Sequence, residues 1–269
     1  MNATAHAKLN LALVVGPLRD DGKHELLTVY QRLTLADRIE LDAAPALRVD
    51  GFAEDTLVRA ALEALAARAG VEPGWHVRIE KRLPVAAGVG GGSSDAAAAL
   101  RLANDTLAVP LAPAQLRDLA ATLGADVPFF LAEGPQLGSG DGGTLAPLDL
   151  PQDFAVLLVV PDGAQKSSTR DVYAAFDARG GAAGWEGRRD ALLGALDRVR
   201  RPRGLAALAP NDLASSPLAD ELRALGAFRA GVTGAGPAVY GLFDDEAAAQ
   251  AAERALEGAG RAWLTAPAW

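Results

Sequence analysis

The sequence predicts an α+β protein of two lobes, and three observations carry that expectation. Alternating patterns over the first forty positions mark a β-rich opening, and helical patterns then interleave with strand patterns to the end of the chain. The densest run of chain breakers, GSGDGG at 138–143 followed by Pro147 and Pro151, falls near the middle. It puts the expected boundary near residue 150, dividing the chain into lobes of 1–150 and 151–269. A chain of 269 residues, half of them hydrophobic, is long enough to bury one large core or two ordinary ones.

In order along the chain, Leu9, Leu11, Leu13 and Val15 predict a first strand. PLRDDGK at 17–23 is a turn, and Leu26 to Leu35 and Ile39 to Leu41 resume the strand pattern. TLVRAALEALAARA at 56–69 is a helix stopped by Gly70, and HVRIE at 76–80 is a strand leading into KRLPVAAGVGGGSSD. The next helix is expected to start at Ser93 or Ser94, and another covers Gln115 to Leu123, ending at Gly124. The second lobe should hold a buried strand at 154–160, helices near 169–178, 188–200, 215–225 and 245–258, and strands near 238–243 and 261–265. No repeat of fixed period interrupts this order.

Composition removes several function classes. No apolar run approaches eighteen residues, and the start lacks a basic n-region, so neither membrane nor secretion is expected and the cytoplasm is the default location. Zero cysteines exclude disulfides, thiolate zinc sites and thiol catalysis, and His6, His24 and His76 are too scattered for a histidine cage. A net charge of −8 argues against nucleic acid as a partner, while a local site can still hold a small anion. Nothing in the sequence implies a protein partner. Of 26 basic residues only Lys8, Lys23, Lys81 and Lys166 are lysine, so a lysine in this arginine-preferring chain draws notice.

The loop Gly88-Val89-Gly90-Gly91-Gly92-Ser93-Ser94-Asp95 lies between a strand and an alanine-rich helix. Glycines let a ligand approach the backbone, and the free N–H groups of a helix's first turn, with the dipole behind them, suit a polyphosphate. The loop lacks the Gly-Lys-Ser/Thr of a Walker A, and serine stands at position 93 where a dinucleotide fingerprint needs glycine. An ordinary capped helix after a loose loop is the plainer alternative.

The stretch Pro84 to Ala97 closely resembles the ATP loop of the GHMP kinases, the superfamily of galactokinase, homoserine kinase, mevalonate kinase and phosphomevalonate kinase. The resemblance continues along the chain, through AKLNL at 7–11, DGKHEL at 21–26, GADVPFF at 124–130, STRDVY at 168–173, NDL at 211–213 and TGAGP at 233–237. It implies a two-lobed fold, the N-terminal lobe like domain 2 of ribosomal protein S5 and the C-terminal lobe ferredoxin-like, with a cleft between them. It implies ATP and Mg2+ as cofactors, with Pro84, Gly88, Gly90, Gly91, Gly92, Ser93, Ser94 and Asp95 around the nucleotide. The GGGSSDAA form is similar to the branch whose acceptor is the 2-hydroxyl of 4-diphosphocytidyl-2-C-methyl-D-erythritol, in the non-mevalonate route to isoprenoids. Thr169, Thr233 and Gly234, in the matching stretches, join Asn10, Lys23, His24 and Asp126 as expected substrate contacts. The chain departs from the family pattern at His6, usually proline, at Lys23, usually a tyrosine that stacks on the cytosine, at Thr56, commonly asparagine, and at Gly143, where glutamate is usual. Tyr30, Phe176, Trp185 and Phe228 are open candidates to cover the base instead, with Lys23 reaching the diphosphate or the cytosine carbonyl, or pointing into solvent.

Phosphoryl transfer to an alcohol needs a triphosphate cradle, a cation against the developing charge and a carboxylate near the hydroxyl. Gly90 to Ser94 supply the first, Lys8 on an apolar strand the second, and Asp126 beside Val127-Pro128-Phe129-Phe130 the third. An unpaired ion in such surroundings costs several kcal/mol, so Lys8 and Asp126 are expected to pair. That leaves open whether Asp126 acts as a base or orients the alcohol. Ser94 is a weak candidate for a magnesium ligand. A catalytically silent nucleotide-binding module is the alternative class, and the joint presence of Lys8 and Asp126 argues against it.

Overall fold

A computed structural model describes residues 1–53, 57–164 and 168–269. Thr56 and Lys166 lie outside these described residues. In chain order the elements are β1 (Asn2–Leu18), β2 (His24–Ala43), β3 (Arg48–Asp50), α1 (Leu57–Ala69), β4 (Trp75–Glu80), α2 (Gly91–Asp105), α3 (Pro113–Leu123), α4 (Val127–Leu131), β5 (Gln136–Gly140) and β6 (Thr144–Pro147). They continue with β7 (Ala155–Pro161), α5 (Thr169–Ala178), α6 (Trp185–Leu196), α7 (Pro217–Ala224), β8 (Arg229–Val232), β9 (Val239–Phe243), α8 (Glu246–Ala255), β10 (Gly260–Thr265) and β11 (Pro267–Ala268), and a 3-10 turn occupies Pro202–Ala207. The chain forms two compact units. One holds Met1–Ala7, Leu35–Val85 and Gly90–Glu133, and the other Lys8–Thr34, Ala86–Val89 and Gly134–Trp269.

The first unit carries the outer half of β2, paired antiparallel with β4 in the register Ile39↔Ile79, and β4 pairs in parallel with β3. Helix α1 buries Val58, Ala61, Leu62, Leu65 and Ala66 along one stripe and packs on α2. The run Ala96 to Ala99 of α2 is wholly buried, since methyl side chains let neighbouring elements approach it from several directions. Helix α4 packs on α2 and on α3.

In the second unit the inner half of β2 pairs antiparallel with β5 (Thr28↔Gly138), β5 with β6, and β11 with β2 (Leu33↔Pro267). A separate four-stranded antiparallel sheet has the order β10-β7-β9-β8. Numbered within this sheet the order is 4-1-3-2, with helices after the first and third strands. That is the split β-α-β arrangement of a ferredoxin-like lobe, as the resemblance implies. Its core joins Leu157 and Val159 of β7, Val239 and Phe243 of β9, Leu218 and Leu222 of α7, and Ala249 and Ala252 of α8.

Two sequence expectations, the starts of α2 and α6, need correction, and packing explains two further segments. Residues 7–16 of β1 are buried without exception, so the small and polar positions between the leucines belong to a strand covered on both faces. Helix α2 begins at Gly91, two residues before the expected serines, because Gly90 at φ 73° enters the helix from the left-handed region open to glycine. Helix α6 likewise starts early, at Trp185 after Gly184 at φ 68°, and stops at Leu196 short of the expected 200. The glycine-dense stretch at 138–143 is the β5–β6 hairpin. A Cβ on Gly138 would lie 2.6 Å from Tyr30 Cε2 and 2.8 Å from the Gly142 carbonyl, so its glycines serve close packing.

Gly138→Ala is therefore expected to destabilise the protein by about 1–3 kcal/mol through overpacking, seen as a lower urea midpoint with an unchanged m-value.

Candidate functional site

In the second unit, Asn10 gathers the candidate residues. Its side-chain oxygen accepts from Lys8 Nζ at 2.6 Å and from the Gly234 main-chain N–H at 3.0 Å. Both partners only donate, which fixes that atom as Oδ1. Nδ2 donates to Thr28 Oγ1 at 2.8 Å, and the Thr28 hydroxyl in turn donates to the Ala12 carbonyl, so the orientation is consistent at both ends. The Asn10 main-chain N–H donates to Thr233 Oγ1 at 3.1 Å, and that hydroxyl donates on to the Gly88 carbonyl. Lys8, 3% exposed, also lies over the Tyr30 ring, 5.7 Å from its centroid.

Two of these contacts require glycine. A Cβ on Gly88, at φ 86°, would stand 2.3 Å from the Thr233 carbonyl, and one on Gly234, at φ 57°, would stand 3.0 Å from the Gly88 carbonyl and 3.5 Å from Lys8 Nζ. Asn211 holds the turn from behind, donating from Nδ2 to the carbonyls of Val232 and Gly234. Lys8, Asn10, Gly88, Thr233 and Gly234 thus form one network. Thr28 and Asn211 complete it, although the sequence reading gave neither of them a role.

Lys23 and His24 bond elsewhere. Lys23 is more than half exposed, and its ammonium meets Asp141 Oδ2 at 2.5 Å, which holds the Asp141 carboxyl below its ordinary value. That carboxylate on the β5–β6 turn accounts for a lysine at this position. His24 is buried, with Nδ1 donating to the Gly16 carbonyl at 2.8 Å and Nε2 lying 3.3 Å from Asp177 Oδ2. Its ring stacks on Tyr173 at 5.1 Å and meets Phe176 edge-on. Of the candidate aromatics, Tyr30 and Phe176 are buried, and the Trp185 ring lies so close to Gly16 that a Cβ there would sit 2.7 Å from it. Thr169 is exposed at the first position of α5, whose cap is Ser168.

The first unit carries the far end of the glycine loop. Gly90 offers no side-chain cap to α2, so the first-turn N–H groups are open to an anion. A Cβ on Gly92 would meet nothing within 4 Å, whereas one on Gly91 would stand 3.4 Å from Lys81 Nζ. These residues fit a polyphosphate, with open space over Gly92 and a bare helix start beneath. Pro84 and Ser93 are half-buried and Ser94 is buried at 2% exposure. Asp126 is half-buried at the head of α4, without a side-chain cap bond to that helix.

Asp95 does not face the loop's open side. Its Oδ2 accepts from Lys81 Nζ at 2.8 Å, and Lys81 also reaches Asp37 Oδ2 at 2.5 Å. Both carboxylates are fully enclosed. Burial pushes Asp95 up to about 8; Lys81 opposes that rise and the charge of Asp37 adds to it. Burial also works against the charge of Lys81, but the two carboxylates outweigh it and raise its pKa. The sequence reading singled out neither Asp37 nor the role of Lys81; the scarcity of lysine was the available signal.

A helix-opening glycine loop, a second glycine turn and a buried lysine define an ATP-dependent small-molecule kinase of the GHMP class. The family description "GHMP kinases N terminal domain" matches residues 56–134, and "GHMP kinases C terminal" matches 205–262. The 4-diphosphocytidyl-2-C-methyl-D-erythritol kinase of Anaeromyxobacter dehalogenans is 38% identical over 94% of this chain and 84% of the relative. That of Desulfitobacterium hafniense is 35% identical over 91% and 88%. A crystal structure of 4-(cytidine 5'-diphospho)-2C-methyl-D-erythritol kinase superposes with a TM-score of 0.81 at 32% identity, covering all of both chains. A mevalonate kinase structure shares the fold, with a TM-score of 0.79 at 13% identity. The chain belongs to the 4-diphosphocytidyl-2-C-methyl-D-erythritol kinase family. Among the described residues no helix is long and apolar enough to cross a membrane.

The Asp95 carboxyl gives a pH prediction. Its pKa rises from 3.8 to about 8 on folding, so between those values the folded state holds a proton that the unfolded state has released. That contribution is complete below pH 4 and is lost as pH rises toward 8. Urea midpoints of Asp95→Asn, which cannot titrate, should therefore gain on those of the wild type from pH 5 to pH 8; a constant gap would refute the shift.

Proposed function

We propose that this chain phosphorylates the 2-hydroxyl of 4-diphosphocytidyl-2-C-methyl-D-erythritol, with ATP and Mg2+, in the non-mevalonate route to isoprenoids. The observation that carries the reading is near-full-length identity of 35–38% to named kinases of that acceptor, together with the open α2 start behind Gly90. Bound ATP supplies the phosphoryl group. The N–H groups of Gly91, Gly92 and Ser93 are oriented to hold its phosphates, and the Ser94 hydroxyl is the candidate protein ligand of the metal. Lys8 brings positive charge that Asn10 aims, and Asp126 holds or receives the proton of the acceptor hydroxyl. Asn10, Thr233 and Gly234 shape the acceptor side, and His24 with Tyr173 offers it an aromatic surface and ring nitrogens. Lys23 contributes through Asp141 and keeps the β1–β2 turn in place. The cytoplasm is the location this reading assigns.

ADP release is the direct test. It should require Mg2+ and the cytidylated alcohol, with mevalonate and homoserine giving background; comparable rates with either would overturn the acceptor assignment and leave the kinase class intact.

Lys8→Ala and Asp126→Asn should each lower kcat by about 10²–10⁴-fold, the usual contribution of a positioned acid–base group, with a smaller effect on KM for ATP. A double variant no worse than the slower single one would show that the two act as a unit. Full activity in Asp126→Asn would remove it from the mechanism.

A further inference from the structure

Asp37, Lys81 and Asp95 all lie in the first unit, at the two ends of the glycine loop. Asp37, on the outer half of β2, receives three donors. Its Oδ1 accepts the main-chain N–H groups of Arg82 and Leu83, and its Oδ2 accepts Lys81 Nζ. The 81–83 segment that leads into Pro84 and the glycine loop is thereby fixed to the sheet. The same ammonium then reaches Asp95 on the second turn of α2, beyond the loop's other end. One side chain therefore joins the entry and the exit of the phosphate loop, and its Nζ passes 3.4 Å from where a Cβ of Gly91 would stand. Lys81 also lies over the Phe52 ring at 5.5 Å, a further restraint on where the ammonium can go.

We infer that Asp37, Lys81 and Asp95 are positioning residues whose hydrogen-bonded strap sets the spacing of the loop's two ends, and so aims the first-turn N–H groups of α2 at the nucleotide phosphates. The inference rests on the reading of that loop as the ATP cradle. A compact ammonium suits this place. It donates to two enclosed carboxylates in different directions, whereas the flat fork of a guanidinium favours a single carboxylate in its plane. An arginine-preferring chain thus keeps a lysine here for a geometric reason.

The strap predicts a loss of nucleotide affinity distinct from a loss of stability. Lys81→Met leaves two buried carboxyl groups without their shared donor and is expected to lower Tm, so a second variant is needed. Lys81→Met/Asp95→Leu removes the unpaired carboxyl while Asp37 keeps its two main-chain donors. Titration with a fluorescent ADP analogue, with no turnover required, should give a Kd raised about 10-fold or more in both variants, because the first-turn N–H groups lose their aim at the phosphates. Tm of the double variant should recover toward the wild type, and KM for the alcohol should stay unchanged. A wild-type Kd in the folded double variant would overturn the inference, because a cluster serving stability alone would move Tm and not Kd. Failure of the wild type itself to bind the analogue would instead overturn the ATP reading and the strap with it.

Discussion

The carboxamide of Asn10 is the constraint on which the second unit's site depends. It is buried at 4% exposure, so every polar atom it carries must find a partner inside the protein. Those partners are Lys8 on the same strand, Thr28 on β2 and Gly234 in the turn after β8. An unmade bond in such a place costs about 1–3 kcal/mol, and the members of a connected network strengthen one another. Three segments far apart in sequence are thereby held in one arrangement, and the direction of the Lys8 ammonium follows from it.

The ferredoxin-like sheet supplies the rigidity behind that node. Strand β8 ends at Val232 and β9 begins at Val239, both buried in its core, so the turn carrying Thr233 and Gly234 is anchored at each end. Thr233 N–H donates to the Ala238 carbonyl, and Ala238 N–H donates to the Ala87 carbonyl, which brings the Gly88 segment onto the turn. Glycine at 88 and 234 is then a steric necessity, because the two backbones approach more closely than a Cβ permits.

Each unit buries a lysine. In the second, the Lys8 ammonium meets the Asn10 carboxamide and the face of Tyr30. In the first, Lys81 lies between two enclosed carboxylates, an arrangement tolerable only because the ammonium and the N–H groups of Arg82 and Leu83 share the load. Even so, one oxygen of Asp95 is left buried without a partner, consistent with its raised pKa.

Much of this was legible in one dimension. The glycine loop, the strand carrying Lys8 and Asn10, and the run of helices and strands after residue 154 follow from local patterns of polarity and chain breakers, which act over a few neighbouring residues. The early starts of α2 and α6 were not legible, because a glycine's choice of the left-handed region is settled by what packs around it. The stretch at 138–143 reads in sequence only as a run of chain breakers, since glycine marks both loops and crowded strands; Tyr30 and the Gly142 carbonyl beside Gly138 show the crowding. That the Lys23 ammonium meets Asp141, 118 residues away, carried no local signal. Asp37 carried no signal at all, because its three donors come from residues 81–83. The sequence by itself determined which chemical groups the chain owns and the periodicity of the segments that carry them. Which charges face each other, and which glycines stand where two backbones meet, was decided by the tertiary structure, because those contacts join residues tens to hundreds of positions apart.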